Sequence, residues 1–319
     1  MTFAAKLVAW QRAHGRHDLP WQGTRDPYRV WLSEVMLQQT QVATVIPYYQ
    51  RFLARFPDVA ALARASQEEV LRLWSGLGYY ARGRNLHRAA KEIVKRGFPD
   101  NAETMQGLPG VGRSTAAAIA VFAFGERAAI LDGNVKRVLA RCFAIENQEK
   151  LWERAEALLP ARDVEAYTQG LMDLGATLCT RVAPACGRCP LAALCRAHRH
   201  GWQERYPAKR VRGPLPRKRV TWLVQRCGER VLLERRPARG IWGGLWCFPA
   251  GKKHPGDRSL AVIEHGFTHF RLRIQPVLRD IPEKKRARQQ RWMTLRALQR
   301  AAVPAPVRIL ASRLSAAAR

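Results

Sequence analysis

From residue 3 to about residue 178, apolar side chains return every three or four positions, the spacing of helices that bury one face. Val30, Trp31, Val35 and Met36 make one such stripe, and Val70, Leu71, Trp74 and Leu77 another. Glycine and proline break the pattern at Pro57, Gly76, Gly97–Pro99 and Pro109–Gly112, which predicts several helices joined by short loops. Beyond residue 219 the period changes. Thr221–Gln225 and Arg230–Glu234 alternate as two strands about a Cys227–Gly228–Glu229 turn, and Phe267–Val277 alternates as a third. A last helix is expected over Ala305–Ala316. The predicted fold class is multi-domain: a mainly α-helical core over 1–200 and a small α/β module over 219–319.

The stretch between them, 201–218, reads as a basic linker. Arg205, Pro207, Lys209, Arg210, Arg212, Pro214, Pro216, Arg217 and Lys218 give it little to bury and much to place on solvent or phosphate. The same bias runs through the whole chain. Its 319 residues carry 55 Lys and Arg against 25 Asp and Glu, a formal charge of +30. A polyanionic partner, nucleic acid first, accounts for that much self-repulsion, and a host with generally basic proteins is the plainer alternative. Met1–Trp10 lacks the apolar stretch of a secretory signal, and the longest apolar run, Thr115–Phe124, is too short to span a bilayer. Four of the seven cysteines are crowded together, which favours a metal site in a reducing compartment over secreted disulfides. A cytoplasmic, nucleoid-associated protein is expected.

Three segments carry candidate chemistry. Cys179, Cys186, Cys189 and Cys195 are spaced Cys-x6-Cys-x2-Cys-x5-Cys, enough thiolates in one loop to wrap a metal centre. Structural zinc or two disulfides are the alternatives, although the spacing lacks the paired knuckles of a zinc ribbon. Arg181, Arg188 and Arg196 lie in or beside this loop, while Cys142, Cys227 and Cys247 read as core residues. Leu108–Ala116 (LPGVGRSTA) places Gly110 and Gly112 at a tight turn, with a helix starting at Ser114 or Thr115 and capped by Gly125. Amides there suit a phosphate oxygen, although any turn could read this way. The third candidate is a pair of acids, Glu34 and Asp132. Glu34 is a lone carboxylate among Trp31, Leu32, Val35 and Met36, where desolvation would raise its pKa as a general acid requires. Asp132 follows an apolar run and precedes a helix. It is an N-cap by position, as Glu34 could be an exposed helix residue.

Trp31–Gln41, Gly76–His87, Leu108–Ala116, Leu131–Arg137 and the cysteine loop resemble, in order, the segments of MutY-type adenine DNA glycosylases. These belong to the endonuclease III group of helix-hairpin-helix enzymes. The resemblance implies one 4Fe–4S cluster on the four cysteines. It implies that Glu34 protonates the adenine and then handles water, that Asp132 stabilises the sugar cation, and that Asn134 positions this site. Gln39 and Tyr79 match residues that fill the gap left by an extruded base; from the residues alone, Tyr79 and Tyr80 are core aromatics. Gly110, Gly112 and Ser114 match the backbone-gripping hairpin. The implied partner is double-stranded DNA with adenine opposite 8-oxoguanine or guanine, met by a monomer away from membranes.

Endonuclease III is similar but carries an amine nucleophile where this chain has Ser114, and no Schiff base forms from a hydroxyl. A monofunctional hydrolase is therefore expected, with a bifunctional glycosylase/lyase or a non-catalytic DNA scaffold as alternatives. Arg235–Pro249 and Gly266–Phe270 resemble the Nudix-like domain of the same family, whose Phe-Ser-His loop contacts the oxidised base. Here that loop is Phe267, Thr268 and His269, and threonine keeps the hydroxyl while adding a methyl. A Nudix pyrophosphohydrolase would need a glutamate-rich helix for magnesium. After Phe248–Gly251 come only Lys252, Lys253, Asp257 and Glu264. Lys284, Lys285, Arg286, Arg288 and Arg291 form a basic run that reads as a solvated loop or a DNA contact.

Overall fold

The computed structural model describes residues 1–208, 213–282, 287 and 289–316. Its helices are α1 (Phe3–His14), α2 (Pro27–Leu37), α3 (Val42–Arg55), α4 (Val59–Arg64), α5 (Gln67–Trp74), α6 (Tyr80–Arg96) and α7 (Ala102–Met105), followed by α8 (Arg113–Phe124), α9 (Gly133–Phe143), α10 (Gln148–Ala157), α11 (Val164–Thr177), α12 (Arg196–Arg199), α13 (Leu295–Leu298) and α14 (Ala305–Ala316). The chain divides into two compact units, Met1–Ala63 with Arg88–Arg210, and Arg64–His87 with Val211–Arg319. Among the described residues no helix is long and apolar enough to cross a membrane.

In the first unit, α11 packs against both α1 and α9, and α8 packs against α2 and α7. Leu7, Val135, Leu139, Tyr167, Leu171 and Leu174 fill one core. The sequence sets these helices locally. Pro27 opens α2 behind Asp26, whose carboxylate accepts the amide protons of Tyr28 and Arg29. Gly125, with φ 69°, ends α8 in a left-handed cap as expected. That helix starts one residue before the predicted Ser114, at Arg113, because Gly112 already serves as the extended N-cap. A close approach lies between α11 and α9. A Cβ on Gly175 would stand 2.6 Å from the Asn134 Cβ and 3.0 Å from its Cα, so only glycine lets α11 lie this near the first turn of α9.

The second unit holds a seven-stranded mixed sheet: β1 (Arg217–Cys227), β2 (Arg230–Arg235), β3 (Trp246–Cys247), β4 (Arg258–Ser259), β5 (Ile263–Gly266), β6 (Arg271–Asp280) and β7 (Gln290–Thr294). Its main order is β3-β2-β1-β6-β4, with β5 on β6 and β7 on β2. Among the described residues only β1 and β6 run parallel. The predicted first hairpin forms, turning at Gly228 with φ 57°. Val307, Leu310, Ala311 and Leu314 of α14 share the sheet's core with Trp222, Val224 and Phe248.

Several expectations change here. The linker's far end, Arg217–Lys218, is already strand, since β1 pairs along its length with β6. Lys209, Arg210 and Arg212 of the linker, and Lys284, Lys285, Arg286 and Arg288 of the basic run, lie outside the described residues. The strand predicted over Phe267–Val277 begins only at Arg271. Phe267–Phe270 is instead the turn joining β5 to β6, closed by the Phe267 amide donating to the Phe270 carbonyl at 2.9 Å. The two phenyl rings stack across it, centroids 4.3 Å apart, so their apolar character serves a turn. Cys227 is half-buried at the hairpin rather than in the core, whereas Cys142 and Cys247 are buried.

Gly175→Ala should destabilise the protein by about 1–3 kcal/mol through overpacking against α9. Gly133→Ala, where nothing stands within 4 Å of the new Cβ, should leave the melting temperature unchanged or slightly raised. Equal melting of the two variants would remove the close-approach argument.

Candidate active site

Asp132 is the N-cap of α9, its backbone extended and its Oδ1 accepting the amides of Asn134 at 3.0 Å and Val135 at 2.7 Å. The cap and the catalytic candidate are thus one residue in one conformation. Asn134 Nδ2 reaches Asp132 Oδ2 at 3.4 Å, and its Oδ1 accepts from Arg137 at 2.9 Å. Arg137 also donates to the carbonyls of Cys179 and Gly175, which ties the start of α9 to the end of α11. Upstream, the Leu131 amide donates to Ser114 Oγ at 3.0 Å. The Ser114 hydroxyl faces inward as a brace for the segment that leads into Asp132.

Glu34 lies on α2 among buried Trp31, Leu32, Val35 and Met36, the apolar setting read from the sequence. With Asp132, Asn134 and Gln39 it lines a cavity of about 1320 Å³ in the first unit. Burial first, and then the negative charge of Asp132, together raise the Glu34 pKa to about 8. Burial also raises Asp132, but the Val135 and Asn134 amides and the Arg137 charge oppose that shift. Two acids share one cavity in unlike settings: one surrounded by hydrocarbon, one at the positive end of a helix.

The cavity has walls that the sequence pattern did not announce. Trp21, Arg16 and His17 come from the loop after α1, and Glu165, Gln169 and Met172 from α11. Arg16 is fixed there by Asp173, which is fully buried and receives Arg16 Nε at 2.7 Å and Gln169 Nε2 at 2.8 Å. An aspartate inside the apolar run Gly170–Leu174 was the available signal, since such a group needs a cation.

Gln39 follows α2 with φ 56°, and Tyr79 follows Gly78 with φ 45°. Left-handed backbone is strained for both side chains, and both are exposed. At the hairpin, Gly110 has φ 83° and is exposed with Gly112, while Leu108 and Val111 are buried beneath them. Gln38 Nε2 donates to Gly110 O at 3.3 Å and Thr115 Oγ1 at 3.2 Å, joining this hairpin to the end of α2.

Cys179, Cys186, Cys189 and Cys195 line one small cavity, together with Cys142, Arg141 and Gln203. Arg141 Nη1 donates to Cys179 Sγ at 3.4 Å, and Gln203 Nε2 to Cys186 Sγ at 3.7 Å. Arg141 further holds the carbonyls of Thr180, Arg181, Gln203 and Tyr206. In the second unit, Thr268 and His269 are exposed at the β5–β6 turn, Thr268 Oγ1 lying 3.5 Å from His269 Nδ1. Asp257 is paired with Arg279 at 2.7 Å, and among the described residues 251–262 form no helix. The magnesium-binding helix of a Nudix hydrolase has no counterpart there.

Residues 32–161 match the model of the HhH-GPD superfamily base excision DNA repair proteins, and 220–313 that of the NUDIX domain. The chain is 35% identical over 333 residues to the adenine DNA glycosylase of Buchnera aphidicola subsp. Acyrthosiphon pisum (strain APS), covering 96% of this chain and 95% of that one. It is 36% identical over 362 residues to the adenine DNA glycosylase of Homo sapiens, covering 86% of this chain and 66% of the relative. Among solved structures, a thermostable thymine-DNA glycosylase is similar with a TM-score of 0.58 at 29% identity, over 62% of this chain and 95% of that one. Endonuclease III in a non-covalent DNA complex shares the fold, with a TM-score of 0.55 at 21% identity over 63% and 99% of the two chains. With that agreement over nearly its whole length, the chain belongs to the adenine DNA glycosylase family of base excision repair enzymes.

Proposed function

We propose that this glycosylase removes adenine standing opposite 8-oxoguanine or guanine in duplex DNA, as a monofunctional hydrolase acting as a monomer on the nucleoid. The observation that carries the reading is the unequal pair on one cavity, Glu34 lifted to about 8 and Asp132 held by two amides. Glu34 enters the reaction protonated and gives its proton to the departing adenine as the C1′–N bond breaks. The electron pair of that bond leaves with the base. Asp132, whose amides and helix end oppose the rise that burial gives its pKa, faces the cationic sugar as the carboxylate. Glu34, now a carboxylate, takes a proton from water as the hydroxyl adds to C1′, which returns the acid and leaves an abasic site. Ser114 supplies no amine, and its hydroxyl already accepts from Leu131, which supports hydrolysis without strand cleavage.

Around this centre, the amides of the Gly110–Gly112 turn and the start of α8 suit a backbone phosphate. Gln39 and Tyr79 fill the gap that the extruded base leaves; their strained, exposed placement supports that role. Phe267, Thr268 and His269 read the opposite base, a hydroxyl and an imidazole offered on a turn braced by stacked phenyl rings.

The four thiols fit a 4Fe–4S cluster. They face a shared cavity with little polar surface, and N–H groups of Arg141 and Gln203 point at two of the sulfurs, as anionic thiolates require. When bound, the cluster supplies iron–sulfur bonds that fix the loop carrying Arg181, Arg188 and Arg196.

Because the protonated form of Glu34 is the active one, kcat/KM should fall about tenfold per pH unit above about pH 8. It should fall again on acidification, as Asp132 takes a proton. Glu34→Gln should lose about 10²–10⁴-fold in excision rate with lesion binding retained. Asparagine caps a helix about as well as aspartate, so Asp132→Asn should melt normally yet lose about 10²–10³-fold in rate. A flat profile through pH 9, or a fast Glu34→Gln, would remove the acid assignment.

Cys189→Ser should abolish the visible iron–sulfur absorption and lower the melting temperature. Wild-type protein that stays colourless after reconstitution with iron and sulfide would overturn the cluster.

A further inference from the structure

Between α5 and α6 the chain turns through Gly76, Leu77, Gly78 and Tyr79. A left-handed Tyr79, with φ 45° and 44% of its surface exposed, persists only if its surroundings determine it. Arg82 is central to those surroundings. It is 9% exposed, and its Nη2 donates to the carbonyls of Leu77 at 3.2 Å and Gly78 at 3.4 Å. Its guanidinium carbon lies 5.5 Å from the Trp74 ring and 5.5 Å from the Tyr79 ring. The Arg82 amide donates to Tyr79 O at 2.8 Å, and the buried Trp74 indole to Gly78 O at 3.2 Å. The carbonyls of residues 77, 78 and 79 thus each receive a proton from Trp74 or Arg82.

The flanks of this turn are fastened separately. Ser75 Oγ donates to Val303 O at 2.7 Å, and Arg84 Nη1 to Gly243 O at 2.9 Å. Glu68 Oε1 accepts from the Trp246 indole at 3.0 Å and from Arg291 at 2.9 Å. These bonds anchor α5 and the start of α6 within the second unit. None of these bonds uses the Tyr79 side chain, whose ring lies beside the Arg82 guanidinium.

We propose that Arg82 is the positioning residue for Tyr79, holding the ring preformed for the gap left by the extruded nucleotide. The inference rests on the reading of Tyr79 as the gap-filling group. A planar cation is needed because it touches two aromatic faces while its fork donates to successive carbonyls. Lysine keeps the charge but has no planar fork with which to hold the turn and the rings together. Burial lowers the Arg82 pKa to about 10, so the group remains a cation at neutral pH.

The test is a double-mutant cycle on the full chain. The probe is a duplex with a tetrahydrofuran abasic analogue opposite 8-oxoguanine, an unreactive stand-in for the extruded nucleotide. Tyr79→Ala should weaken binding about fivefold or more, the loss of one base–aromatic stack. Arg82→Lys and Arg82→Met should each weaken it several-fold in the parent and have no further effect beside Tyr79→Ala. Both are run with melting curves, so that a fold defect in one does not decide the outcome. Equal losses with and without the Tyr79 ring would overturn the proposal, since Arg82 would then act independently of it. Parent-like binding by Tyr79→Ala would instead defeat the gap-filling reading, and the proposal with it.

Discussion

Two amide protons at the start of α9 hold the Asp132 carboxylate, and the rest of the site depends on that hold. It satisfies donors that would otherwise be orphaned at a helix end, a contribution of about 1 kcal/mol to stability. It also opposes the rise in the Asp132 pKa that burial causes. The negative charge of Asp132 adds to the desolvation of Glu34 and helps keep its proton on. On the proposed mechanism, the same two hydrogen bonds serve folding and chemistry. A capping aspartate and a catalytic aspartate are not competing descriptions of Asp132.

The first turn of α9 is itself held by close approach and by tethers. Gly175 removes the side chain that would push α11 away from Asn134. Arg137 spans Asn134, Gly175 and Cys179, so the loop with the four thiols and the carboxylate cavity share one guanidinium. Ser114 steadies Leu131, and Gln38 ties the hairpin to the helix that carries Glu34. A hairpin suited to phosphate is thereby tied to the segments that carry both acids by three hydrogen bonds, two from Gln38 and one from Leu131. Each bond is worth about 1 kcal/mol, and together they set the geometry.

What the sequence disclosed was local. Glu34 stood out as a charge in an apolar stripe, Asp132 as a cap, Gly110 and Gly112 as a turn, and the cysteines by spacing. The cavity walls were hidden because they are built across long separations: Arg16 near the N-terminus meets Asp173 on α11, and no periodicity encodes that. Cys142 read as core because it lies on the buried stripe of α9, and it is buried; its place beside the other thiols needed α9 and the cysteine loop brought together. Phe267 and Phe270 suggested a strand because they are apolar, whereas their rings stack across a turn. The strain at Gln39 and Tyr79 left no trace in composition, since neither residue is one that favours left-handed backbone.

The most direct test of the account is single-turnover excision from a duplex with adenine opposite 8-oxoguanine, each time point divided and developed with and without alkali. Release of adenine with strand breaks appearing only after alkali is the predicted result, the signature of a hydrolase that uses water at C1′ and has no amine at residue 114. Breaks without alkali would contradict it and require a lysine nucleophile elsewhere. Folded, cluster-loaded protein that released no adenine would contradict the paired-acid site itself.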